Sequence, residues 1–517
     1  MHHIGTSGRL AKSRQRRAIA LAVSSVLIAA SAQASTVQLG TRFEGTSMFD
    51  NFFLDGAFRP PDTMGAIGTT HYVETTNGSI TVYDRSGNVL RREGANTFWR
   101  RAGQDGSSGD QRVLFDHYTN RWIMNGFCGT VNAVCIAVSD TDDALGTWRS
   151  TRITAFPSTN QVADYPTLGM DDKGVYIGTN NFTPGFSGTS LFTIPKADLF
   201  DGAPSVENLT RFDSPLAGPD RGFAIQGAVN WQGNPDASTS VMTVSRDQFD
   251  MLFYKINGVD GPGATQSAVT DVNAQGYTFN GDARQPDVVP RLVDTLDDRV
   301  SANAYEVDGR VYGVHTVTPT GVPSGDARTE LRWYVLDATN GALLQQGLIG
   351  GGGYDYYQGA IAVNQFGQAV IGYNRSGFQT GDDNGDLLPD GRISFLAQAF
   401  TLDGLGLLSP LGSEFLLRVS DVGDYRCGPR NIIDTGCRQR WGDYAAVTID
   451  PLDNRSFWAI GEYAADWSSY NGNLLATWHT YIAQLTFDDG TTVPEPGSLA
   501  LLGLGLAGLG LSRRRKA

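Results

Sequence analysis

A chain of 517 residues is too long for one compact core of ordinary design. Its 63 Gly and 21 Pro, beside only 18% charged residues, suit many short strands and tight turns and exclude a body of long helices. A net charge of −14 excludes a protein that tracks a phosphate backbone, so nucleic acid is not an expected partner.

Residues 1–34 read as an address. Arg9, Lys12, Arg14, Arg16 and Arg17 form a basic region, residues 18–30 an apolar one, and Ala32-Gln33-Ala34 a small-x-small cleavage site for signal peptidase. The apolar run is shorter than the ~20 residues a membrane span needs. Removing this segment takes away five positive charges and no acid, moving the net charge from −14 to −19.

Residues 35–59 read as a lead-in to a body at 60–488. The body keeps repeating one unit, a short apolar strand, a polar turn and a second apolar strand. It is seen in DYPTLGMDDKGVYIGTN (164–180) and again at 62–77, 110–127, 357–374 and 443–463. One two-strand unit cannot bury its own apolar face, so recurrence means stacked or radial modules. Units open near Asp62, Asp110, Asp164, Arg221, Arg284, Gln358 and Asp443, about 60 residues apart. The expected fold is all-β: a β-propeller of seven four-stranded blades, with six and eight as alternatives because the units at 221 and 284 are degenerate.

The body resembles secreted bacterial propellers related in shape to sialidases. The resemblance rests on PPDTMGAIG (60–68), DYPTLG (164–169), RWGDY (440–444) and the stretch SDTDDALGTW (139–148), which is similar to a loosened Asp-box turn. It implies a hairpin capped by the Ser and an Asp of this stretch, whose Trp packs between blades, and it leaves activity open.

Four cysteines fit an exported setting. Cys128 with Cys135 and Cys427 with Cys437 are the expected local disulfides, the runner-up being a Zn site. Chemistry is expected where the inner strands begin. Asp62, Asp110, Asp164 and Asp443 open the recurrent units, and Arg221, Arg284 and Arg440 lie nearby as candidate ligand-binding groups. Facing one another, these would set carboxylates beside guanidinium groups, the equipment for binding or cleaving glycans. Tyr165 and Tyr444 each follow such an Asp and are candidates to stack on a sugar or to act as a nucleophile. The plainer expectation is that the aspartates accept backbone N–H groups and hold blade to blade, since a residue repeated in several blades suits architecture. Asp382, Asn384, Asp386 and Asp390 have a Ca²⁺-loop spacing, though Leu387 and Ile393 stand where an EF-hand has Gly and Glu. No other cofactor is expected. No G-x-S-x-G, H-E-x-x-H or Walker loop occurs.

Residues 489–517 form the last segment. Pro494-Glu495-Pro496, in the motif at 493–496, precedes an apolar helix expected at 498–511 and a basic end at 513–516. These three parts resemble the PEP-CTERM sorting signal of exopolysaccharide-producing Gram-negative bacteria. The resemblance implies transient anchoring in the inner membrane, processing by an exosortase, and delivery to the cell surface or extracellular matrix. The expected function is a non-catalytic glycan- or protein-binding propeller, exopolysaccharide being a candidate ligand. The alternative is a sialidase-like or other glycoside-active enzyme working at the channel mouth.

Overall fold

The computed structural model describes residues 36–488 apart from 107–108, 159, 214–221, 246–249, 273, 275, 279–280, 287–291, 321–327, 383–388, 427–437 and 471–472; the side chains of 128, 319 and 467–475 also lie outside the described residues. Contacts divide the chain into a body, Val37–Thr486, and a second unit of which Thr36, Phe487 and Asp488 are described. The expected signal peptide, the sorting segment, Arg221, Asn384, Asp386, Cys427 and Cys437 all fall outside the described residues. Cys135 is buried in the body, and the side chain of Cys128 is among those outside. Among the described residues no helix is long and apolar enough to cross a membrane.

Among the described residues strand makes up 54% and helix 4%. After β1 (Thr36–Ser47), the first full sheet is β2 (Met64–Ile67), β3 (His71–Thr76), β4 (Ser79–Asp84) and β5 (Val89–Gly94). The next is β6 (Arg112–Asp116), β7 (Arg121–Cys128), β8 (Thr130–Ser139) and β9 (Trp148–Thr154). A third joins β10 (Val162–Asp164), β11 (Gly169–Met170), β12 (Gly174–Phe182), β13 (Phe186–Pro195) and β14 (Thr210–Asp213).

A ten-stranded sheet follows. One antiparallel run holds β15 (Phe223–Val229), β16 (Ser238–Val244) and β17 (Met251–Asn257), with the short edge pieces β18 (Thr265–Gln266) and β19 (Thr270–Asp271). Between the runs lie β20 (Tyr277–Thr278) and β21 (Val293–Asp294). The second run is β22 (Ala304–Val307), β23 (Arg310–Pro319), β24 (Glu330–Asp337) and β25 (Leu343–Ile349). Among the described residues the strand pairing that joins the two runs is parallel, β15 with β22, Ala228 opposite Ala304.

β26 (Tyr354–Val363), β27 (Gln368–Gly377), β28 (Ser394–Leu402), β29 (Leu408–Pro410) and β30 (Phe415–Val419) make another sheet. After β31 (Gln439–Arg440), the last sheet is β32 (Ala446–Ile449), β33 (Ser456–Tyr470) and β34 (Asn473–Asp488), and its outer position is taken by β1.

These sheets close a circuit. β2 packs on β6, β8 on β10, β12 on β15, β22 and β23 on β26, β26 on β32, and β32 returns to β2. This radial arrangement explains the burial pattern. MGAI in β2, RVLFD in β6, FAIQGAV in β15 and AVTI in β32 are buried at every position, because neighbouring sheets cover both faces. The outermost β1 alternates exposed and half-buried residues instead. Near the axis the sheets approach so closely that side chains are excluded. A Cβ on Gly169 would lie 2.2 Å from the Gly227 carbonyl oxygen, and one on Gly178 2.2 Å from that of Ile225.

An Asn at or near the end of four of the recurrent units stitches its sheet to the next. Asn77 accepts from the Asp110 N–H at 2.9 Å, Asn125 donates to the Thr167 carbonyl at 2.8 Å, Asn180 accepts from the Ala224 N–H at 2.8 Å, and Asn374 donates to the Glu462 carbonyl at 2.7 Å. A buried amide satisfies backbone groups that no ladder reaches.

Two expectations change. The unit expected to open at Arg284 does not open there: its inner strand is β22, beginning at Ala304, and the preceding residues are an insertion. In that insertion β20 pairs with β23 and β21 runs parallel to β31. The lead-in at 35–59 supplies β1, so the last sheet is completed from the N-terminal side of the body. The 139–148 stretch forms the β8–β9 hairpin. Ser139 Oγ accepts from the Trp122 N–H and donates to the Thr141 carbonyl, while the Leu145 N–H binds Asp143. Trp148, nearly buried, meets Phe98 edge-on at 5.1 Å, on the short helix Ala95–Arg101 that follows β5.

Candidate functional site: the acidic end of the axis

The inner strands begin at one end of the circuit, and a backbone irregularity recurs there. Asp62, Asp110, Tyr165, Ala224 and Gln358 all have φ between 52° and 58°. A left-handed turn at each start re-aims the side chain toward the axis, and β15 and β26 show the accompanying bulges in register. Asp tolerates this conformation better than most residues, because its short polar side chain can bond locally. The four aspartates therefore hold two kinds of position. Asp62 and Asp110 sit at the left-handed residue itself, whereas Asp164 and Asp443 each precede a buried tyrosine.

The fold brings all four together. Asp62 is buried; its two carboxylate oxygens accept from the Asn77 amide at 2.6 Å and the Asp443 N–H at 2.9 Å. Asp110 accepts from the Tyr444 hydroxyl at 3.1 Å. Asp443 pairs with Arg440 at 2.6 Å. Arg440 reaches this place because β31 is pinned to the inserted β21.

Burial, then Asp443 and Asp110, raises the Asp62 carboxyl well above the usual carboxylate range. Burial, then Asp164 and Asp443, pushes Asp110 up to about 7. Burial also raises Asp164, with Arg299 working against it and Asp443 with it. At neutral pH Asp110 is thus partly protonated. Arg440 stays charged: burial opposes its charge, but Asp443 and Asp62 outweigh that effect.

Below the aspartates the axis is filled. Tyr165 and Tyr444, each 1% exposed, pack with ring centroids 4.7 Å apart. Arg112, fully buried, lies 4.1 Å from the Tyr444 centroid and 5.2 Å from that of Tyr165. Arg299, bonded to Asp297 through two nitrogens, covers Tyr165 at 4.3 Å. Tyr165 donates to the Asp443 carbonyl at 2.9 Å, across sheets that are not neighbours in the circuit. Deeper down, Asn303 reaches the Leu168 carbonyl at 2.6 Å and Tyr305 that of Val447 at 3.2 Å. Burial raises both Tyr165 and Tyr444 above the ordinary phenol range, so neither supplies a phenolate near neutral pH. With both rings buried, neither presents a face for a sugar to stack on.

Arg284 lies elsewhere. It grips Asp355 through Nε at 2.7 Å and Nη2 at 3.0 Å and donates to the Gly353 carbonyl. Arg112 and Arg299 were not among the residues picked from the sequence; the only signal was that Arg112 stands two residues after Asp110. Among the described residues no group of three or more His, Cys, Asp or Glu is placed to hold a metal ion, and the Asp382–Asp390 loop is only partly described.

The fold and this end of the axis together define a β-propeller whose acidic mouth is closed from within. Residues 492–516 match the PEP-CTERM protein-sorting motif, which implies exosortase processing, export and sorting to the cell surface. No curated protein matches the chain. Similar solved structures include the WD40 domain of Toxoplasma gondii coronin, 8% identical over 89% of this chain and 87% of that one, TM-score 0.43. An α-L-arabinofuranosidase from Fusarium graminearum is 9% identical over 85% and 98%, TM-score 0.35. A neuraminidase-like protein of A/little yellow-shouldered bat is 10% identical over 63% and 95%, TM-score 0.28.

Proposed function

We propose that this is an exported, exosortase-processed propeller of seven blades, the two runs of the ten-stranded sheet counting as two. At the cell surface or in the exopolysaccharide matrix it acts as a non-catalytic binding protein. Its ligand is a polyhydroxylated glycan that meets Asp110, Asp164, Asp443 and Arg440 at the acidic mouth, where carboxylates accept from sugar hydroxyls. The observation carrying this reading is the Tyr165–Arg112–Tyr444 stack directly beneath the aspartates. A glycosidase needs two carboxylates free to flank a bond in an open cleft. Here Asp62 is tied to Asn77 and a backbone N–H, and Asp443 to Arg440. To the same reading belong Ca²⁺ in the Asp382–Asp390 loop and local disulfides at 128–135 and 427–437, both suited to an extracellular setting.

A glycoside-active enzyme is the second reading. It is favoured by Asp110, whose proton is held to about pH 7 beside Asp164 and Asp443 as a general acid requires. A glycan array probed with the exported chain and with Asp164→Asn tests the first reading. Retention of specific glycans, weakened at least tenfold in the variant, is expected. An array with no retained glycan, or retention indifferent to Asp164, contradicts it.

A further inference from the structure

We infer that the turn at 295–297 is a latch over the acidic mouth: Leu296 occupies ground that the glycan must take, and binding displaces it. The inference rests on the mouth being the ligand site and concerns what governs access to it.

The backbone sets Leu296 apart. Among the described non-glycine residues with positive φ, five open inner strands, and Asn120, Ala237, Asp308 and Asn454 lie in the turns where inner strands end. Leu296, at 71°, is the remaining one, and it belongs to the insertion. Asp and Asn ease this conformation with a short polar side chain, which leucine lacks, so its steric cost stands in full.

The turn is anchored at both feet. Val293, fully buried, exchanges hydrogen bonds with Ala283 at 2.7 and 2.8 Å. Beyond the turn, the Asp298 carbonyl accepts from His315 Nδ1 at 2.5 Å, and Val300 is fully buried. Bonds internal to the segment travel with it. The Leu296 N–H donates to Asp294 at 3.0 Å, and Arg299 grips Asp297 through Nε at 2.6 Å and Nη2 at 2.7 Å. The Thr295 hydroxyl supplies a tie outward, to the Gly281 carbonyl at 3.2 Å.

The half-buried Leu296 side chain packs on the apolar cluster that holds Tyr165, Ala224 and Tyr444. Arg299, three residues on, covers Tyr165 at 4.3 Å and Phe223 at 4.7 Å. The turn therefore overhangs the tyrosine next to Asp164, where the C–H face of a sugar would rest while its hydroxyls meet the carboxylates. Half-burying a leucine stabilises the closed turn by an amount similar to the strain that opposes it. Closed and displaced turns thus lie close in free energy, the condition for a switch rather than a fixed cap.

A glycan array probed with the exported chain, Leu296→Gly and Leu296→Asn tests this. Both replacements suit a φ of 71°, so the turn keeps its backbone while losing the leucine. Glycans retained by the parent should bind both variants at least threefold more tightly. A leucine that merely packs the mouth gives the reverse sign, since its loss would loosen Tyr165. Leu296→Gly decides where the variants differ, and Leu296→Asn decides should the glycine variant not fold. Equal or weaker binding by the deciding variant overturns the latch. Retention that depends on Asp164 but not on Leu296 removes the latch alone; an empty array, or retention indifferent to Asp164, removes the mouth reading and the latch with it.

Discussion

The Tyr165 hydroxyl donates to the main-chain carbonyl of Asp443 at 2.9 Å from the far side of the circuit. A bond between sheets that never touch edge to edge fills the axis and fixes two blades at once. Tyr165→Phe keeps the ring and removes that bond, leaving a buried carbonyl without its donor. Chemical denaturation should show a loss of about 1–3 kcal/mol. Tyr165→Ala also opens a cavity between Arg112 and Arg299 and should cost about 3–5 kcal/mol, by analogy with other large aromatic truncations.

Glu74 is a second tie between the first and last sheets. Its buried carboxylate accepts from the Thr46 N–H at 3.1 Å, the Thr46 hydroxyl at 2.7 Å and the Tyr83 hydroxyl at 2.6 Å, and from Thr480 on β34. One side chain therefore joins the first sheet to both strands at the rim of the last. Glu74→Ala strands several buried donors and should lower stability by at least about 2 kcal/mol. Hydrogen exchange should quicken first in β1, before the inner strands respond.

Asp110 gives the body a pH dependence. Its folded carboxyl is raised to about 7 by burial, Asp164 and Asp443, so the folded state holds a proton that the unfolded chain releases near its ordinary carboxylate pKa. The stability linked to that proton is fully present below about pH 4 and is lost as pH rises toward and through 7. Asp110→Asn should therefore be more stable than the parent at pH 8 and lose that advantage by pH 4. Urea unfolding across this range checks it; a difference that does not vary with pH is the contrary result.

Arg112 lies close enough to Asp110 to pull its pKa down. Arg112→Met keeps the packing on Tyr444 and removes the charge. The Asp110 titration, followed by carboxyl ¹³C NMR, should then move above its parental position near 7. A downward shift, or none, would mean that the guanidinium does not act on this carboxylate.

Much of the architecture was legible in the sequence because the recurrent unit coincides with the inner half of a blade. Its opening Asp marks an inner-strand start and its closing Asn a stitch to the next sheet, so both recur for backbone reasons. The unit at Arg284 was misplaced because an insertion carrying β20 and β21 separates β17 from β22, so that even spacing no longer marked the true start at Ala304. The role of β1 was illegible for a different reason. Its partner lies over 430 residues away, as the Thr41 N–H to Gln484 bond shows, and an outer strand carries no continuous apolar run to betray it. Arg112 and Arg299 were missed because a buried cation over tyrosine rings depends on the convergence of three sheets, and no local pattern encodes that.

The reading of a closed, binding mouth is tested most directly by incubating the exported chain with exopolysaccharide and following bound polymer and new reducing ends together. Binding without any rise in reducing ends above the uncatalysed background is the predicted result. Steady release of reducing ends that disappears in Asp110→Asn would contradict it and make the acidic mouth a hydrolytic site.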